Sequence, residues 1–105
     1  MTNLVHYSPA SLKDLDEIWT YIEEDLQNPD AAQKSVLEIV DSIGRLEVFP
    51  EMGTPLSSII EVKSDYRFLV CGNYLVFYHC RKTEIFIDRV LYGKRDYLSI
   101  LFNVN

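Results

Sequence analysis

At 105 residues the chain has the length of one domain, and its net charge of −6 argues against indiscriminate attraction to nucleic acid, which relies on neutralising phosphates. A hydrophobic content of 48% and a charged content of 25% are ordinary for a folded domain and exclude a disordered or fibrous chain. No apolar run approaches the roughly 20 residues of a membrane span, and Met1 to Leu4 carries no basic region ahead of an apolar one, so a cytoplasmic protein without membrane attachment is expected.

The charge is unevenly spread. Residues 1 to 51 hold eleven acids against Lys13, Lys34 and Arg45, a balance of −8, while residues 52 to 105 hold five acids against seven bases, a balance of +2. The basic side of the molecule therefore belongs to the second half.

Along the chain, Leu4-Val5-His6-Tyr7 has the composition of a short strand and runs into Ser8-Pro9, an N-cap followed by a proline at the first helical position. Leu12, Leu15, Ile18, Trp19, Ile22 and Leu26 follow at steps of three and four, so a helix of about five turns is predicted, with Asp14, Asp16, Glu17, Glu23 and Glu24 largely off its apolar stripe. Asn28-Pro29 repeats the start signal. Ala32, Val36, Ile39, Val40, Ile43 and Leu46 carry a second stripe to about Val48, before Pro50 and Gly53 stop it. With so short a link, the helices form an antiparallel hairpin whose stripes face a common surface.

Beyond Gly53-Thr54-Pro55 the pattern turns extended. Strands are predicted at Ile59 to Val62, Tyr66 to Val70, Tyr74 to Tyr78 and Ile85 to Leu91, all rich in aromatic and β-branched residues. Gly72-Asn73 and Arg81-Lys82-Thr83 are short connections, so the strands from Tyr66 onward read as an antiparallel meander. Strand, helix hairpin, then strands is an α+β order in one domain, 1–105, with the hairpin covering one sheet face. The other face is covered by the segment after Gly93 or left for a partner. Gly93-Lys94-Arg95-Asp96 suits the start of a short C-terminal helix with Asp96 near its positive end.

These residues in this order resemble the RelE/ParE superfamily of type II toxins. The resemblance rests on Tyr7-Ser8-Pro9-Ala10 with Lys13-Asp14-Leu15, Ile18-Trp19 and Tyr21-Ile22, on Leu46, Phe49-Pro50 and Gly53, on Tyr66-Arg67 leading to Gly72-Asn73-Tyr74-Leu75-Val76-Phe77-Tyr78, and on the closing Arg89-Val90-Leu91-Tyr92-Gly93-Lys94-Arg95-Asp96-Tyr97. It covers roughly residues 4 to 102, and its closing stretch is the strongest piece. The resemblance implies the superfamily's fold, no cofactor, a cognate antitoxin that wraps over sheet and helices in a hetero-oligomer, and growth arrest through either translation or DNA topology.

Two branches differ in chemistry. Ribosome-dependent cleavage of mRNA needs a group to draw off the 2′-hydroxyl proton, cations to stabilise the phosphorane and a donor for the leaving oxygen. The resembling ribonucleases carry several Lys and Arg on the middle strands, whereas Phe68-Leu69-Val70 and Leu75 stand here. The cations that remain are Arg67, Arg89, Lys94 and Arg95, with Lys63 a candidate neighbour and Tyr92 and Tyr97 as proton-transfer groups. The tail, Phe102-Asn103-Val104-Asn105, lacks a His-Tyr or basic ending. This depletion favours the ParE-like branch, a non-enzymatic poison of DNA gyrase that uses Arg67, Arg89, Tyr92, Lys94, Arg95 and Tyr97 to bind its target. The alternatives are an mRNA endoribonuclease acting through Arg67, Arg89, Arg95 and Tyr97, and an inactive module that only binds antitoxin.

Either toxin reading expects Arg67, Arg89 and the Lys94 to Tyr97 segment to gather at one exposed surface. A structural Arg89 would pair with a cross-strand carboxylate, because its sequence neighbour Asp88 faces the opposite side of the strand. His6 and His79 read as hydrogen-bonded strand residues, and the Glu23-Glu24-Asp25 run as a solvated patch. Cys71 and Cys80, which lack zinc-binding or Cys-x-x-Cys spacing, read as reduced thiols, and no metal is expected.

Overall fold

The computed structural model describes residues 2–102; Met1 and the tail residues Asn103, Val104 and Asn105, singled out above, lie outside them. The elements are β1 (Leu4–Tyr7), α1 (Pro9–Thr20), α2 (Pro29–Gly44), β2 (Thr54–Pro55), β3 (Arg67–Cys71), β4 (Tyr74–Arg81), β5 (Glu84–Tyr92) and α3 (Tyr97–Phe102). Five strands form one sheet in the order β1-β5-β4-β3-β2. The run from β2 to β5 is antiparallel, and β1 lies parallel to β5.

The cap signals act as their chemistry dictates. Ser8 Oγ accepts a hydrogen bond from the Ser11 amide at 2.9 Å and donates to the Asp88 carbonyl at 2.7 Å, so one hydroxyl both starts α1 and ties it to β5. Asn28 Oδ1 accepts from the Ala31 amide at 3.1 Å and starts α2. Between the helices the chain does not stay α-helical: Tyr21–Asp25 forms a π-helical turn, closed by the Leu26 amide on the Tyr21 carbonyl at 3.2 Å.

The hairpin covers one sheet face. Ile18, Ile22, Ala32, Ile39, Ile43 and Leu46 meet Val76, Tyr78, Ile85, Ile87 and Val90 in the main core. On the far face Leu56, Phe77 and Leu91 form a second cluster, closed by Tyr97, Ile100, Leu101 and Phe102 of α3. The segment after Gly93 thus covers the second face, and the side chain of Asp96 accepts from both the amide and the hydroxyl of Ser99 in its first turn.

Three expectations need correction. Ile59 to Val62 is not a strand: Leu56–Ser58 is a 3₁₀ turn, and the Ile59 and Ile60 amides fold back on the Leu56 carbonyl. Ile60 and Val62 are apolar because they pack against the far-face cluster, while Thr54–Pro55 takes the place beside β3. Asp14 is not on a solvated face but is only 4% exposed. Leu12 and Leu26, placed on the buried stripe, are instead 54% and 56% exposed.

Candidate functional site

Strand pairing between β4 and β5 slips at one point, matching Phe77 with Arg89 and Tyr78 with Ile87, so Asp88 is a bulged residue. β1 ends opposite Ile87, which leaves the rest of β5 along the open side of the sheet, beside α1. Asp14 of α1 fills that position. Its carboxylate accepts from Arg89 Nε at 2.7 Å, from Arg89 Nη2 at 2.8 Å and from the Val90 amide at 2.9 Å. Arg89 therefore has a structural partner, from the helix layer and not from a neighbouring strand as expected. This bidentate bond is the largest cause holding its guanidinium above its ordinary pKa.

Arg67 is committed elsewhere. Its Nη1 donates to the Gly53 carbonyl at 2.8 Å and the Glu51 carbonyl at 3.3 Å, bracing the loop after α2. Tyr78 supports the same loop from within the core: its hydroxyl donates to the Pro50 carbonyl at 3.0 Å and accepts from the Gly53 amide at 2.8 Å. Burial pushes the Tyr78 phenol above its ordinary pKa.

Tyr92 and Arg95 line a groove of about 720 Å³ between the α1 end of the hairpin and the ends of β4 and β5. Tyr21, Ile22, Leu26, Tyr74 and Val90 form much of its apolar lining, with Glu17 at its rim. A second hollow of about 400 Å³ continues along α2 past Ser35, Asn73 and Tyr74 to Ser42, Arg45 and Cys71. Lys94 and Lys63 are exposed and line neither hollow. Tyr97 lies on the opposite sheet face, its ring 5.2 Å from that of Phe77. The single surface expected for Arg67, Arg89 and Lys94 to Tyr97 is not formed; only Tyr92 and Arg95 share the groove, with Arg89 behind them through Asp14.

Sequence reading missed a far-face polar network. His79 Nδ1 lies 2.9 Å from Asp88 Oδ2, and His6 Nε2 lies 3.1 Å from Glu84 Oε1. Phe86 is stacked between the two imidazoles, at 5.1 and 5.2 Å. Burial, followed by the charge of the nearby Asp88 carboxylate, pushes the Tyr66 phenol up to about 12. The two histidines are thus hydrogen-bonded strand residues, as read. Alternation alone would have put His79, Phe86 and Asp88 on one face, but the pairing register was needed to see it. Burial raises the Cys71 and Cys80 thiols, and both are free. Among the described residues no three potential metal-ligating side chains converge.

The small α+β domain thus keeps Arg67 and Arg89 in scaffold bonds and leaves an apolar groove lined by tyrosines, Glu17 and Arg95. The sequence matches, over residues 5–97, the family model described as the ParE toxin of the type II toxin-antitoxin system, parDE, and the chain belongs to that family. It is also similar to a solved structure described as the chromosomal ParDE TA system from P. aeruginosa, at 22% identity and a TM-score of 0.74, covering 89% of this chain and 98% of that one. At that identity the likeness speaks for the fold. A search of curated proteins found no match. Among the described residues no helix is long and apolar enough to cross a membrane.

Proposed function

We propose that this ParE-family toxin acts in the cytoplasm by binding and trapping DNA gyrase, and that a cognate antitoxin silences it by laying an amphipathic segment in the groove between the helix hairpin and the β4–β5 end of the sheet. The observation that carries the gyrase reading is the dispersal of the residues a ribonuclease would need. Arg89 is held by Asp14, Arg67 by two carbonyls, and Tyr97 packs against Phe77 on the other face. A phosphorane between them would find neither converging cations nor a nearby proton donor. A poison that works by binding needs only an exposed surface, and Tyr92, Lys94 and Arg95 provide one, with Arg89 supporting it from behind.

The antitoxin reading is supported by the groove itself, whose exposed Tyr21 and Tyr92 are of the residue type that anchors interfaces, with Leu26 adding apolar area. Purified gyrase should lose supercoiling activity when the free protein is added and regain it when the product of the adjoining reading frame is supplied. Undiminished supercoiling at saturating protein, together with codon-phased mRNA cuts in a translating extract, would replace this reading with the ribonuclease one.

A further inference from the structure

We propose that the end of the groove beside α1 is a cation cage, in which Tyr21, Tyr74, Tyr92 and Glu17 receive a guanidinium or ammonium side chain of the docked segment. Three elements bring the tyrosines to one groove: the π-helical turn presents Tyr21, the start of β4 Tyr74 and the end of β5 Tyr92. The Tyr74 and Tyr92 rings meet edge to face, with centroids 6.0 Å apart and planes at 67°, an arrangement in which the pair itself covers only one face of one ring. Tyr21 and Tyr92 are 49% and 40% exposed although both line the hollow. The electron-rich faces of phenol rings attract cations, and several around one opening add their attractions.

The carboxylates decide the sign of the ligand. Glu17 stands one turn before Tyr21 on the same face of the helix; among the described residues its one ion pair, with Lys13 at 3.9 Å, joins two solvent-exposed side chains and is readily exchanged, while the Arg89 guanidinium, already held by Asp14, acts on it only as a neighbouring charge. Asp14, the other acid of the lining, is consumed by Arg89 and the Val90 amide. An uncharged plug would cover Glu17 without giving it a partner, which a cationic one supplies. Arg95 lines the same groove and opposes a cation placed beside it, so the basic side chain sits on the α1 side and an acidic one of the same segment faces Arg95. The cage rests on the proposed antitoxin docking only for the identity of the segment that carries the cation.

Two measurements on the full chain test this. In the first, N-acetyl-arginine methylamide is titrated against the protein with NMR detection of tyrosine ring signals, beside the uncharged citrulline analogue of the same shape. The arginine probe should shift the Tyr21, Tyr74 and Tyr92 signals saturably while the citrulline probe does not; Tyr92→Ala and Tyr21→Ala should each weaken the effect about three- to fivefold, as for one cation–π contact. Equal shifts from both probes, or none that saturates, overturn the cage. In the second, affinity for the antitoxin from the adjoining reading frame is compared between the wild type, Glu17→Gln and Tyr92→Ala. A complex indifferent to both changes overturns the cage and leaves the antitoxin reading standing. Absence of any complex, with the arginine probe still binding, supports the cage and removes that reading.

Discussion

Asp14 fastens the helix layer to the sheet with a single carboxylate. It accepts three hydrogen bonds from β5 and is almost fully enclosed. Sequence periodicity sorted it outward because acids on amphipathic helices usually face water, and nothing local reveals an arginine 75 positions away in the sequence. Removing it strands a partly buried guanidinium and an open backbone amide, so Asp14→Ala should cost about 3 kcal/mol of unfolding free energy. Urea titration checks this, and a midpoint equal to that of the wild type would mean the bond contributes nothing net. Gly53 is a second residue whose role only coordinates reveal. A Cβ there would lie 2.6 Å from the Tyr78 hydroxyl and 2.9 Å from the Phe68 carbonyl oxygen, too close for either. Gly53→Ala should therefore break the Tyr78 bond and destabilise the fold by about 2 kcal/mol, read as a lowered thermal midpoint.

At the scale of elements, both helices, both caps, four of the five strands (all but the two-residue β2) and the closing helix were legible from period and punctuation, because each is specified by residues close together in the chain. What failed was non-local. The apolar run at Ile59 to Val62 buries two of its side chains without strand pairing, and no pattern of four residues distinguishes the two outcomes. The β5 bulge at Asp88, which sets the register of Arg89 and Val90, depends on how β4 lies beside it. The far-face network is likewise a product of register, and it makes a prediction with a definite sign. Tyr66 titrates near 10 when unfolded and at about 12 in the fold, so its stabilising effect is complete below pH 10 and is lost as pH rises toward 12. Tyr7, Tyr74 and Tyr78 are shifted in the same direction by burial. Stability should thus fall on the alkaline side, and Tyr66→Phe should make that fall shallower in denaturation curves taken across pH 10 to 12; an unchanged slope would show that folding does not raise the Tyr66 phenol.

For the molecule as a whole, the sheet sets apart residues that the closing motif holds close in sequence. Arg95 and Tyr97 are two positions apart, yet Arg95 lines the groove on the hairpin side and Tyr97 closes the core on the far side. The candidate site was legible as a motif but not as a surface, because the turn after β5 sends successive side chains to either face of the sheet. Loss of growth arrest therefore has different physical meanings at the two positions. Arg95 is exposed and has no side-chain ion pair among the described residues, so Arg95→Ala should leave the thermal midpoint within the small range of surface substitutions, about 0.5 kcal/mol, while weakening growth arrest. Tyr97 contributes its ring to the cluster around Phe77, so Tyr97→Ala should cost about 2 kcal/mol of stability and lose toxicity with folded protein, whereas Tyr97→Phe should restore both. Measuring melting temperature and colony survival on the same variants separates the two. Full toxicity in Arg95→Ala would move the target contact off the groove, and a Tyr97→Phe protein that is stable yet harmless would show that the phenol hydroxyl itself meets the target.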